Sequence, residues 1–238
     1  RLDHILPPGG LDVHDGARRT LRDIVVDAPG GFRLIPGSAG VSRMADLGVA
    51  DRRRLFGWLG EIEDQSDILL IDTAAGVGQS VTAFLDAADI CLVVTTPEPT
   101  AITDAYALVK CAASTDSRAL QFLGGRAPHR PVFRFVVNQC EDEHEARRVF
   151  ARLRAVCARF LGVEVALAGW LAQDVRVAEA VRARQLFWLR SRGCPASANI
   201  SALAASLTQD VGPPSPRPAS PNPPRRVASG LRRFLGLT

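Results

Sequence analysis

The chain predicts an α/β protein: a wound, mostly parallel sheet covered by helices on both faces, three layers in all. Three observations lead there. Short apolar runs bounded by turn residues recur along the chain, and two of them are apolar on both faces, as strands covered on two sides should be. Stretches with helical spacing lie between these runs. Strand and helix therefore alternate, which is the pattern of a wound sheet.

The expected strands are Phe32–Ile35, Ile68–Ile71, Ile90–Thr95, Phe133–Val137 and Val163–Leu167. Those at 68 and 90 are the ones apolar on both faces. Leu55, Trp58, Leu59 and Ile62 share one helical face, as do Ile102, Ala105, Leu108, Val109 and Ala112. Between Glu141 and Leu161 the apolar residues repeat at three and four: Ala146, Val149, Phe150, Leu153, Val156, Cys157 and Phe160. After Val211 the composition changes. The stretch GPPSPRPASPNPP carries seven prolines in 13 residues, so it can form neither helix nor central strand. It reads as an extended, disordered spacer. The domain organisation is then a folded body over 1–211, a proline-rich linker over 212–224 and a terminal segment over 225–238.

A chain of 238 residues that is 47% hydrophobic can build one sizeable core. No apolar run approaches the ~20 residues of a membrane span. The chain opens with Arg1, and residues 1–8 lack the apolar centre of a secretory signal. Five cysteines stand singly, with no C-x-x-C pair, which argues against zinc, redox and disulfide frameworks and suits buried reduced thiols in a cytosolic protein. His4, His14, His129 and His144 have no ligand spacing. The net charge of +4 comes from the tail: residues 213–238 hold five arginines and no acid, which leaves 24 of the 29 basic residues against 25 acids in the body. That balance argues against a body-wide nucleic-acid footprint.

Ligands of wound sheets bind beyond the carboxyl ends of the strands. Asp72, Thr95–Glu98 and Asn138 fall there, on three successive expected strands. Each alone could be a turn or a cap. Asp72 closes ILLI and precedes the small residues Ala74, Ala75 and Gly76. An acid after an apolar strand is the Walker B arrangement, which holds a magnesium-bound water; small residues let backbone N–H groups approach a phosphate.

The stretch VVTTPEPTAITDAYALVK, with LLIDTAAGV and FRLIPGSAG, resembles the MinD/ParA class of deviant-Walker P-loop ATPases. The nearest likeness is to its flagellar branch, FlhG (also FleN or YlxH). FVVNQC and GVEVALAGWLAQDVRVAEAVRARQLF are similar to further segments of that class, so the likeness spans about residues 2–210. It implies a slow, switch-type ATP hydrolase that binds ATP with Mg²⁺ and forms a homodimer around it. It assigns Asp72 to the magnesium-linked acid and Gly76 to the γ-phosphate sensor. Asn138 would read the adenine, with Pro97 and the loop near Asp174 framing it. The output implied is control of flagellar number or placement, alongside an FlhF-like GTPase and flagellar switch proteins, with no direct nucleic-acid partner. The location implied is cytoplasmic and peripheral on the inner face of the plasma membrane.

Three departures accompany the likeness. The class carries proline where this chain has Ala172 and Leu186. It also needs K-G-G-x-G-K-[ST], with two lysines, to grip phosphate. This chain has one lysine, Lys110. The first strand and P-loop are therefore not in these residues, and the reading is of an N-terminally truncated ATPase domain. Alone, such a fragment is expected to be inactive and prone to aggregate, because unpaired strand edges would be exposed.

The tail adds a second element. Val227, Leu231, Phe234 and Leu235 fall at i, i+4, i+7 and i+8, flanked by Arg225, Arg226, Arg232 and Arg233. This reads as a basic amphipathic helix, similar in kind to the membrane-targeting helix of MinD and FlhG, and suited to an anionic membrane surface. Partly burying four apolar side chains would contribute ~4–6 kcal/mol. Four arginines at an anionic leaflet add ~1 kcal/mol each. Ordering the segment costs on the order of 10 kcal/mol. One copy is near balance; two on a dimer bind together. The rival for the tail is a helix docked on the body or on a partner. The rivals for the whole are a MinD/ParA-type enzyme serving septum placement or partitioning of DNA or other cargo, and a nucleotide-free scaffold on a decayed ATPase fold.

Overall fold

The computed structural model describes residues 25–36, 49–63, 65–73, 75–114 and 131–211. Five strands lie among them: β1 (Val26–Ala28), β2 (Phe32–Leu34), β3 (Ile90–Thr95), β4 (Val132–Cys140) and β5 (Val165–Ala172). The helices are α1 (Val49–Glu63), α2 (Gln79–Ala87), α3 (Pro99–Ser114), α4 (Glu143–Leu161), α5 (Val175–Arg182), α6 (Phe187–Arg190) and α7 (Pro195–Val211). The proposed linker and terminal helix fall outside the described residues.

Strands β3, β4 and β5 form a parallel sheet in chain order. Each crossover is a helix, α3 and then α4. Helix α4 shows why the chain folds this way locally. The Asp142 carboxylate accepts the Glu145 N–H at 2.7 Å, and Glu145 reaches back to the Glu141 N–H at 2.8 Å. Two orphan donors are thereby satisfied at the helix start. Gly162 ends the helix in the left-handed conformation, φ +61°. Between these stops Ala146, Val149, Leu153 and Cys157 are buried at spacings of three and four, as the periodicity predicts.

These residues meet Ala105 and Val109 of α3, Val81 and Leu85 of α2, and Cys91, Val93, Phe133, Phe135 and Val137 of the sheet in the main core. Helix α7 covers the other face. Val136 pairs with Gly169, so both point away from that core, and Gly169 lies against Leu203 of α7. Helices thus stand on both sides of the sheet, giving the three layers expected. Among the described residues no helix is long and apolar enough to cross a membrane.

Two expectations need correction. Ile68–Ile71 forms no strand. Leu69 and Ile71 pack on Phe56, Leu59 and Ala87, whereas Ile68 and Leu70 are 55% and 79% exposed. A run apolar at every position becomes a two-sided strand only where ladder partners flank it, and here nothing pairs with it among the described residues. Similarly, among the described residues β3 is an outer strand with Val94 at 62% exposure; it is the middle strand β4 that is buried on both faces. Phe32–Ile35 does give a strand, but as half of the β1–β2 hairpin turned by Gly30 and Gly31 at positive φ. Arg33 ties that hairpin to the Gln65 carbonyl and the Ser66 hydroxyl.

Candidate functional site

The parallel register brings strand ends together. Thr95 pairs with Val137, and Cys140 with Ala172. Thr96–Glu98 and the loop at Asp174 therefore leave the sheet, and Asn138 nears the end of its strand, at one edge, the carboxyl ends of β3, β4 and β5. Pro97 sits half-buried in the turn before α3, where the Thr96 hydroxyl accepts the Glu98 N–H at 3.4 Å.

Asn138 stands at a break in β4. Its neighbour Gln139 adopts φ +59°, a left-handed conformation costly for a residue with a Cβ. The ladder to β5 shifts register between Val137 and Cys140. Such bulges re-aim a side chain near a strand end. Here Asn138 Oδ1 accepts the Gln139 N–H at 2.9 Å, which fixes the carboxamide orientation and leaves its N–H₂ group unbonded among the described residues. The Gln173 N–H then closes onto the Cys140 carbonyl at 2.8 Å, tying the loop after β5 to the end of β4.

Asp174 has a different task from contact through its carboxylate. The side chain is only 4% exposed. One oxygen accepts the Arg176 N–H at 3.0 Å and caps α5; the other accepts from the Ala196 N–H at 3.5 Å, in the first turn of α7. The Arg176 N–H holds the carboxyl below its ordinary range, helped by Cys194, Ala196 and the Arg176 charge against the opposing effect of burial. Asp174 therefore shapes the loop through its carboxylate.

Ala172, standing where the likeness predicts proline, donates its N–H to Asn199 Oδ1 at 3.0 Å. Proline could not make that bond, so the departure is matched by an acceptor on α7. Neither Gln139 nor Asn199 was singled out from sequence. The odd residue at 172 is the one signal that leads to Asn199; nothing local marks Gln139.

Asp72 is solvent-exposed, at the end of the unpaired Ile68–Ile71 run. Gly76 has φ +106°, and a Cβ placed there would meet open space. A backbone that only glycine adopts readily, with nothing crowding it, leaves room for close approach of a ligand. Among the described residues no three His, Cys, Asp or Glu side chains gather as a metal cage. Asp72 alone would serve magnesium here, with water and phosphate oxygens completing the shell, which is the donor set that ion favours. The tail residues Val227, Leu231, Phe234, Leu235, Arg225, Arg226, Arg232 and Arg233 lie outside the described residues.

The comparisons with known proteins bear on the family and the fold. The chain is 34% identical over 206 residues to the antiactivator FleN of Pseudomonas aeruginosa, covering 87% of this chain and 69% of that one. The chain belongs to the MinD/ParA-type ATPases, in the FlhG branch. A second relative in that branch, the flagellum site-determining protein YlxH of Helicobacter pylori, is 38% identical over 90 residues, covering 38% of this chain and 31% of that one. The MinD/ParA fold also appears in solved structures. MinD of Pyrococcus furiosus superposes with TM-score 0.63 at 16% identity, over 89% of this chain and 80% of that one. MinD of Aquifex aeolicus gives 0.57 at 20%, over 83% and 72%. No family model matches the chain.

Proposed function

We propose that this FlhG-branch protein handles ATP with Mg²⁺ as a slow switch that sets flagellar number or placement. The observation that carries the reading is the convergence of Pro97, Asn138 and the Asp174 loop at one edge of three parallel strands, in a chain akin to an antiactivator over most of its length. The free N–H₂ of Asn138 meets an acceptor on the adenine edge. Pro97 and the backbone near Asp174 frame the base. The Gly76 N–H approaches the terminal phosphate, and Asp72 holds a magnesium-bound water. The ion, when bound, offsets charge on the phosphates.

Two subunits join around the nucleotide. Residues 1–211 form the ATPase domain, 212–224 a spacer and 225–238 a helix that attaches the dimer to an anionic inner membrane face. An FlhF-like GTPase and flagellar switch proteins are the partners this role calls for.

The test combines calorimetry on the complete gene product with flagellar counts. ATP with Mg²⁺ should bind, and Asn138→Ala should weaken binding roughly 10- to 100-fold with little change in melting. Asp72→Ala should retain binding and lose hydrolysis. Cells carrying either variant should show altered flagellar number by electron microscopy. No ATP binding, together with normal flagella in both variants, would sink the proposal.

A further inference from the structure

A surface outside the nucleotide edge has its own chemistry. Pro29, Gly30 and Phe32 of the hairpin and Leu186–Leu189 line one shallow, almost wholly apolar cavity of about 200 Å³. Its rim leaves Phe32, Leu186 and Trp188 at 49%, 43% and 41% exposure. Large apolar side chains so exposed and adjoining mark a contact surface. The surrounding charge is one-sided. From Val175 to Gly193 there are five arginines and one acid, Glu179; the hairpin adds Asp27 and Arg33. One arginine is held against the patch, the Arg192 guanidinium lying 5.3 Å from the Trp188 ring centre, and Arg190, next in the chain to the lining residue Leu189, donates to Gln185 Oε1 at 2.8 Å. The indole N–H is already satisfied by Ser201 Oγ at 3.0 Å, which leaves the ring apolar towards solvent.

We infer that this hairpin–α6 face is a second membrane contact, seated on an anionic bilayer. The occupant follows from charge and shape. The chain's own tail and a second copy of the face are both basic, so each would be repelled. A nucleic-acid backbone suits the arginines but gains little from exposed Leu186 and Phe32. The cavity is too small and shallow to hold a helix. An anionic bilayer supplies headgroups for the arginines and an apolar boundary for the rings, where Trp is at home. The contact also supplies affinity that a single tail, near balance by itself, lacks. The inference stands apart from the nucleotide reading.

The test is flotation of the full chain, without nucleotide, on phosphatidylcholine vesicles with and without phosphatidylglycerol. Leu231→Glu with Phe234→Glu silences the tail. That variant should still float with phosphatidylglycerol. In its background, Arg190→Gln and Arg192→Gln should each lower partitioning about fivefold, and Trp188→Ser should lower it further. The arginines are exposed, so melting should not change; if Trp188→Ser melts early, the arginine pair decides. Loss of all flotation with the tail silenced, indifference to both arginines, or arginine-dependent capture of an oligonucleotide with none of vesicles would each overturn the proposal.

Discussion

Asp174 and Ala196 are bonded across 22 residues: a carboxylate oxygen of the first accepts the backbone N–H of the second at 3.5 Å, while its other oxygen caps Arg176 at 3.0 Å. One buried side chain thus starts two helices, and two of the bonds that hold it favour the ionised form.

The sign of its pH effect follows. The folded carboxyl titrates below its ordinary value of 3.8, chiefly because of the Arg176 N–H. Its contribution to stability is present above that ordinary value and is lost as pH falls through the lower folded one. Urea unfolding should therefore show Asp174→Asn less stable than the parent at neutral pH, with the gap closing as pH drops below about 4. A gap that stays constant down to pH 2 would refute this role.

The Ala172–Asn199 bond makes a paired prediction. Asn199→Ala removes the acceptor and leaves a part-buried N–H unsatisfied, at a cost of about 1–3 kcal/mol. In an Ala172→Pro background there is no donor to orphan, so the same Asn199 change should cost clearly less. A double-mutant cycle by chemical denaturation measures the difference. Equal costs in both backgrounds would mean that the bond contributes nothing.

Gly169 and Leu203 set how closely α7 approaches the sheet. A Cβ at Gly169 would stand 3.3 Å from Leu203 Cδ1. Gly169→Val should destabilise by about 1–3 kcal/mol through overpacking. Leu203→Ala should cost about 2–5 kcal/mol through the space it leaves. The double variant should cost less than the sum, since the valine fills part of that space. Additive costs in thermal melts would place the two residues out of contact.

The cysteines give a chemical check on the core. Burial pushes the Cys91 and Cys140 thiols up to about 11, with the Glu145 and Asp142 charges assisting at Cys140. At pH 8 their thiolate fraction is roughly 100-fold below that of an ordinary thiol. Iodoacetamide on the native protein should label Cys111, which is half-buried, well before Cys91, Cys140, Cys157 or Cys194. Mass spectrometry of peptides reads the order, and early labelling of Cys91 would show that the core is open.

The helices were the most legible part. The 3.6-residue period of α1, α3 and α4 is written within each segment, and the buried residues of α4 are among those its spacing selects. Strand type was legible at β3 and β4, and the match to a family motif located Pro97 and Asn138. β5 was placed too early, at Val163–Leu167 against Val165–Ala172, because its later residues GWLA alternate weakly. The sequence does not mark helix α2 or helices α5 to α7 as elements; their apolar stripes are short, and caps such as Asp174 become visible only when the groups they satisfy are in place.

What the sequence determined by itself is the alternation of strand and helix, the polar ends of β3 and β4 and the family, because periodicity and motif spacing are properties of contiguous residues. What only the tertiary structure decided is pairing. It left Ile68–Ile71 without a ladder among the described residues, made β4 the strand buried on both faces, turned the Asp174 carboxylate inward as a clasp and gave Ala172 an acceptor on α7. The physical reason is that a backbone N–H or a carboxylate is satisfied by whichever partner the fold brings within 3 to 3.5 Å, and no local pattern records which partner that will be.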